Sequence, residues 1–286
     1  MKRIAIIANC DKPDAPSVLR RLEAGAKKVG IELLTCDAAS NFLSCGKELD
    51  CESMLGRAEA VIALGGDGTL LRAAKMLNGA DIPILGINLG NLGFMTSVPE
   101  DKLEQTLKAL SRDEFTSTYR TMLECQVEVE GEVEEVFHAL NDVVIGWGES
   151  SRIITLDVSV RGENVITSMC DGLIVSTPTG STGHSMSAGG PIIHPETAAF
   201  AINMICPHTL SNRPLVVPDS CPIEIGVSSA SKSVLLAVDG QDCQRLNQGD
   251  MIRIRKSERT LNLLHLPEYS YFEILKHKLH WRGSVM

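Results

Sequence analysis

The chain has two textures. Through about residue 100, short apolar runs alternate with stretches in which apolar residues recur every three or four positions. The runs are "IAIIA" (4–8), "IELLT" (31–35), "AVIAL" (60–64) and "IPILGIN" (82–88), each the length of a strand buried on both faces. Between them, "SVLRRLEAGAKKVG" (17–30) predicts a helix that stops at Gly30, and a second helix is predicted from Thr69 to Leu77. A third, "PEDKLEQTLKAL" (99–110), carries Leu103, Leu107 and Leu110 at helical spacing. Strands alternating with helices predict βαβ units on a parallel sheet, whose ligands gather at the strand C-terminal ends.

Beyond this point the pattern becomes alternating, in "LECQVEVEGEVEEVFHAL" (123–140), "IITLDVSVRGENVITS" (153–168), "SVLLAVDG" (233–240) and "DMIRIRK" (250–256), with turns at Gly131 and near Gly162. This half is expected to be mostly antiparallel β. The closing "YFEILKHKLHW" (271–281) reads as a helix or mixed segment returning to the first domain. The expected fold is a Rossmann-like α/β domain over 1–100, completed by 268–286, followed by a β-rich domain over 101–267.

Composition narrows the function. The 286 residues, 44% hydrophobic, suffice for two modest cores. A net charge of −9 argues against a nucleic-acid partner or an anionic membrane surface. No run approaches the roughly 18 apolar residues of a membrane span, and the apolar stretch after Met1 is too short for a signal-peptide core. Nine cysteines, an odd number without a CxxC pair, point to free thiols in a cytoplasmic protein. His277 and His280 have no third ligand nearby and read as surface or packing residues, so no metal site is assigned.

Four stretches carry candidate chemistry. In "ALGGDGTLLRAAK" (63–75), Gly65, Gly66 and Gly68 suit close backbone approach to phosphate, and Thr69 suits a helix start. Asp67 stands in their midst, where a carboxylate repels phosphate and so must serve another group: a hydroxyl to be oriented or deprotonated, or a phosphate-bound metal. The turn lacks the P-loop lysine and is not GxGxxG. "DGLIVSTPTGSTGHSMSAGGPIIHP" (171–195) offers hydroxyl and backbone donors for a nucleotide. "ALNDVVIG" (139–146) sets Asn141 beside Asp142, an amide and carboxylate suited to ribose hydroxyls. "AVDGQDC" (237–243) reads alone as a hairpin turn.

Together with "PILGINLGNLGF" (83–94), "YRTML" (119–123), "SNRPLVVP" (211–218) and "KLHW" (278–281), these pieces resemble the NAD kinase family over essentially the whole chain. The GGDG turn alone is shared with diacylglycerol, sphingosine and phosphofructokinase-type kinases. The STPTGST segment joined to an Asn-acid pair is far more specific. A lipid kinase would want a basic amphipathic surface, and an idle NAD-binding sensor would have lost Asp67.

The resemblance implies a homodimer or homotetramer that transfers the terminal phosphate of ATP, or polyphosphate in some bacterial members, to the 2'-hydroxyl of the adenosine ribose of NAD, with Mg²⁺ carried on ATP. By position, Asp67 is the general base, and Gly65, Gly66, Gly68 and Arg72 serve phosphate. Asn141 and Asp142 contact NAD; Thr182, Gly183, His184, Ser185, Met186 and Ser187 surround adenine and ribose; Arg152 and Gln241 are binding positions. Asp171 matches the acid that meets the nicotinamide end or a neighbouring subunit's ligand, and Met169 stands where a basic residue is common. His184 replaces a tyrosine. Imidazole changes charge near neutrality, so the KM for NAD is expected to vary between pH 6 and 8 and to flatten in His184→Tyr. Flat profiles in both proteins would contradict this.

Overall fold

The computed structural model describes residues 1–44, 49–96, 98–147, 153–229 and 234–281. In chain order the elements are β1 (Arg3–Ala8), α1 (Ala15–Val29), β2 (Glu32–Leu34), α2 (Cys51–Arg57), β3 (Ala60–Gly65), α3 (Asp67–Leu77), β4 (Ile84–Asn88), β5 (Val98–Pro99) and α4 (Leu103–Ser111). Next come β6 (Thr116–Val129), β7 (Glu132–Ala139), β8 (Asp142–Trp147), β9 (Ile154–Val160), β10 (Glu163–Cys170), β11 (Gly172–Ser176), α5 (His184–Ser187) and β12 (Ala199–Ile205). The chain ends with β13 (Leu215–Pro218), β14 (Ile223–Ser229), β15 (Val234–Val238), β16 (Gln241–Leu246), β17 (Met251–His265) and α6 (Tyr271–Lys278). It divides into two compact units, 1–119 with 261–286, and 120–260.

The first unit is an α/β domain. Its strands β2, β1, β3 and β4 lie side by side and parallel, and Leu263 of β17 pairs with Ile84 at the far edge. Every residue of β3 and β4 is buried, which explains why these segments read as continuous apolar runs rather than alternations. Helix α1 lays Val18, Leu19, Leu22 and Ala26 into a core shared with Ile4, Ile6, Ile62 and Leu64. Gly30 then stops it in the left-handed conformation at φ 74°. Helix α6 opens on Ser270, whose side chain accepts the N–H of Glu273. The last periodic segment is therefore a true helix, packed in this unit.

The second unit is a β-sandwich-like body with antiparallel pairing. One layer contains β10, β9, β14 and the first part of β17, with β6 and β7 forming a hairpin; the other runs β13, β12, β11, β8, β15, β16. Their inward residues, among them Leu123, Val143, Leu156, Leu173, Phe200, Ile225 and Leu236, form one core. Hairpins β6–β7, β9–β10 and β15–β16 turn at Glu130–Gly131, Arg161–Gly162 and Asp239–Gly240, both residues at positive φ each time. This is the turn whose twist matches paired strands.

Two local expectations are corrected. Helix α3 begins at Asp67, two residues before the predicted Thr69, because extended Gly66 serves as its N-cap and the Thr69 hydroxyl accepts the Gly66 N–H from within the first turn. Cys36 and Cys51 are not free thiols: the end of β2 and the start of α2 bring their Cα atoms to 5.1 Å, and they form a disulfide. Among the described residues, Cys10, Cys125, Cys170, Cys206 and Cys221 are not disulfide-bonded.

Candidate active site

Two clusters hold the predicted site residues, one in each unit. In the first, β3 ends at Gly65 and α3 starts two residues later, so the helix N-terminus opens at the C-terminal end of the sheet. A cleft of about 420 Å³ lies there, lined by Gly66, Gly68, Arg72, Asn9 and Lys12 among others. A β-carbon on Gly66 or Gly68 would meet nothing within 4 Å. Their fold does not demand glycine, and the space they leave opens onto the cleft. Arg72 donates to the carbonyl of Ala8 (2.6 Å) and pairs with Asp37 (3.2 Å), which fixes the guanidinium against the end of β1 while its side chain stays about half exposed.

Asp67 does not hang free in the cleft. Its Oδ2 accepts the N–H of Phe94 (2.9 Å), while Oδ1 accepts the N–H groups of Met95 (3.1 Å) and Thr96 (2.9 Å) and the hydroxyl of Thr96 (2.9 Å). Each bond to an ionised group is worth about 1.5–3 kcal/mol net, though not additively. The turn 93–96 and the carboxylate therefore hold each other. The ammonium of Lys278 on α6 lies 5.6 Å from the centre of the Phe94 ring, adding a cation–π contact to the same turn.

In the second unit, Asn141 and Asp142 form the turn into β8. Asp239, at the β15–β16 hairpin, accepts the backbone N–H groups of Leu140 (2.9 Å), Asn141 (2.7 Å) and Asp142 (3.2 Å). From the other side, Thr177 donates its hydroxyl to the Leu140 carbonyl (2.6 Å) and its N–H to that of Asn141 (2.9 Å). A β-carbon on Gly180 would overlap the Asn141 backbone, so the STPTGST loop packs against it only because residue 180 is glycine. Gln241 starts the strand after this hairpin, paired with Val238.

The loop's hydroxyls mostly serve the loop. Ser176, Thr177, Ser181 and Thr182 each donate to backbone carbonyls of the same region. Three buried side-chain atoms nearby have no protein partner: Asn141 Oδ1, Thr179 Oγ1 and Ser185 Oγ. Asn203, a buried amide on apolar β12, donates to the carbonyls of Ser185 (3.1 Å) and Ala188 (3.0 Å) and so anchors α5. His184 opens that helix and is exposed, as is Ser187; Gly183 and Met186 are partly buried.

Met169 and Asp171 lie elsewhere. The registry sets Ser176 opposite Asp142 and Gly172 opposite Gly146, so they flank the other end of β11, roughly 16 Å from the Asn141–Asp142 turn at ~3.3 Å per residue. Arg152 lies outside the described residues. Phe94, Thr96, Asn88, Asp239, Thr177 and Asn203 also belong to these clusters and were given no role from sequence. The available signals were a polar residue at the end of or within an apolar strand for Asn88 and Asn203, and an Asp-Gly turn for Asp239; Phe94 acts through its backbone N–H and leaves no side-chain signal.

Comparison with known proteins finds two matching families. The family model for the ATP-NAD kinase C-terminal domain matches residues 140–266, and that for the ATP-NAD kinase N-terminal domain matches 45–115. An NAD kinase of Syntrophotalea carbinolica is 42% identical over 98% of this chain and 99% of its own. The chain belongs to the NAD kinase family. An NAD kinase of Geobacter sp. strain M21 is 41% identical over the same shares. Among solved structures, yeast NADH kinase complexed with NADH superposes with a TM-score of 0.90 at 25% identity, covering 100% of this chain and 89% of that one. An Archaeoglobus fulgidus NAD kinase in complex with ATP gives 0.75 at 26% identity, over 98% of this chain and 100% of that one. NAD kinases are phosphotransferases, and the α/β unit followed by a mostly β unit is their fold.

Burial, and then the nearby Asp239 carboxylate, push the Asp142 carboxyl up to about 7. A carboxyl whose folded value exceeds its ordinary 3.8 favours folding most when protonated; the contribution is full below about pH 4 and is lost as pH rises through about 7. Urea unfolding should find the wild type losing more than about 1 kcal/mol relative to Asp142→Asn between pH 5 and 8. Parallel stability curves would contradict it.

Proposed function

We propose that this NAD kinase transfers the terminal phosphate of ATP to the 2'-hydroxyl of the adenosine ribose of NAD, with Asp67 as general base. The observation that carries the reading is the placement of a carboxylate at the first position of α3, between two glycines whose empty side opens onto the cleft. A helix N-terminus and its free N–H groups suit phosphate, while the carboxylate suits the hydroxyl that attacks it. The alcohol oxygen bonds to the terminal phosphorus, the bond to the bridging oxygen breaks, ADP leaves, and the hydroxyl proton passes to Asp67. Because an alcohol is far less acidic than a carboxylic acid, the proton moves late in a loose transition state, and positioning supplies most of the acceleration.

In the second unit, Asn141, Asp142, Thr182 to Ser187 and Gln241 are assigned to NAD. The unpartnered Asn141, Thr179 and Ser185 oxygens support a ligand rich in hydroxyl and amino groups. Near neutrality the raised Asp142 carboxyl can donate as well as accept. Asp171 and Met169 are assigned to a different part of the dinucleotide or to a ligand of a second copy. Mg²⁺ held on the ATP phosphates would supply neutralisation of the charge that develops there. With Oδ1 of Asp67 already accepting three hydrogen bonds and the remaining capacity of Oδ2 needed for the attacking hydroxyl, a contact to the ion through water would fit that carboxylate better than direct ligation.

A homo-oligomer is part of the proposal, supported by exposed Val165, Leu215 and Val216 on β10 and β13. Sedimentation equilibrium at micromolar concentration should give a dimer or larger; a monomer would contradict it. The activity is tested by incubating the protein with Mg²⁺, NAD and either ATP or polyphosphate and reading NADP with an NADP-specific dehydrogenase. NADP should form with ATP, and Asp67→Asn should bind NAD normally while turning over at least about 100-fold more slowly. Full activity in that variant would remove the base assignment.

A further inference from the structure

The hydrogen bonds at Asp67 are unevenly distributed. An ionised carboxylate has about two lone-pair sites on each oxygen and can only accept. Oδ1 already accepts three bonds, from the Met95 and Thr96 N–H groups and the Thr96 hydroxyl, whereas Oδ2 accepts one, from Phe94. Oδ1 is saturated. Oδ2 retains the lone pair.

The direction of the hydroxyl bond follows from the same rule. Because the carboxylate cannot donate, the single proton of the Thr96 hydroxyl points at Oδ1. The Thr96 oxygen is then an acceptor for its other neighbour, the Asn88 amide, whose Nδ2 stands 2.9 Å away. The donation runs from Asn88 through Thr96 to Asp67. Thr96 is fully buried and Asn88 nearly so, which shields the chain of bonds from competing water.

Two glycines make room for this arrangement. A β-carbon on Gly93 would overlap both the Asp67 carboxylate and the Thr96 hydroxyl, and one on Gly86 in β4 would press on the Thr96 backbone and methyl group. The turn 93–96 is thereby laid directly on β4, where Asn88 reaches it.

Resting on the base role given above to Asp67, we propose that Thr96, oriented by Asn88, is a positioning residue for phosphoryl transfer. Its hydroxyl locks the carboxylate so that Oδ2, and not Oδ1, receives the substrate hydroxyl. The effect belongs in turnover, because the carboxylate must be aligned when the proton moves, whereas NAD and ATP are gripped by other groups.

Steady-state kinetics of the full chain test this. Thr96→Val should lower kcat about 10- to 100-fold, the scale expected for a misaligned catalytic group, with the KM values for NAD and ATP within threefold of wild type. Thr96→Ser, which keeps the hydroxyl, should retain at least about a third of kcat. Asn88→Ala, an independent probe if Thr96→Val fails to fold in a thermal melt, should lower kcat at least about threefold with the same KM pattern. Wild-type kcat in folded Thr96→Val, an equal fall in the Ser and Val variants, or unchanged kcat in Asn88→Ala would overturn the proposal. Asp67→Asn run alongside separates the two claims: if it is inactive while Thr96→Val is fully active, only the positioning role fails; if it is fully active, the base reading itself fails.

Discussion

A single carboxylate holding a turn of main chain underlies the first unit's site. Asp67 enters the structure as the first residue of a helix, where negative charge is favoured by the helix dipole, and there it collects three N–H groups that would otherwise need other partners. The turn depends on the acid for its hydrogen bonds, and the acid depends on the turn for its orientation. The fully buried strands β3 and β4 and the small side of Gly93 bring both to one place.

The second unit solves a similar problem with a different division of labour. Asp239 likewise gathers three successive N–H groups, from Leu140 to Asp142, and so supports the turn that carries Asn141 and Asp142. The hydroxyl-rich segment presses on the other side of that turn and spends most of its donors on carbonyls. A backbone clamped from both sides can present an amide and a carboxyl at little further cost in conformational entropy. Burial of Asp142, and then the second acid beside it, account for its raised proton affinity.

Much of the fold was legible because its physics is local. Short apolar runs marked the strands, β3 among them buried throughout, and Gly30 marked the end of α1. Glycines 131 and 162 marked hairpins that turn at positive φ. Local rules also set the limits. The start of α3 was misplaced because Thr69 looks like an N-cap, while its hydroxyl acts from inside the first turn to close the cap on Gly66. The Cys36–Cys51 disulfide depends on a meeting of β2 with α2 that spacing does not announce. The partners of Asp67 lie nearly thirty residues downstream, and Asp239 lies almost a hundred residues from the turn it supports. A long-range bond of this kind leaves no periodic trace; its only mark was a polar residue such as Asn88 at the end of an apolar strand.

The central claim is that the turn 93–96 fixes the Asp67 carboxylate and leaves one oxygen for the substrate. The most direct test is a crystal structure of the protein with NAD bound. The account predicts the adenosine 2'-hydroxyl within hydrogen-bond distance of Asp67 Oδ2, with Oδ1 still held by Met95 and Thr96. A 2'-hydroxyl seated on Oδ1, or a bound NAD whose ribose lies out of reach of Asp67, would contradict it.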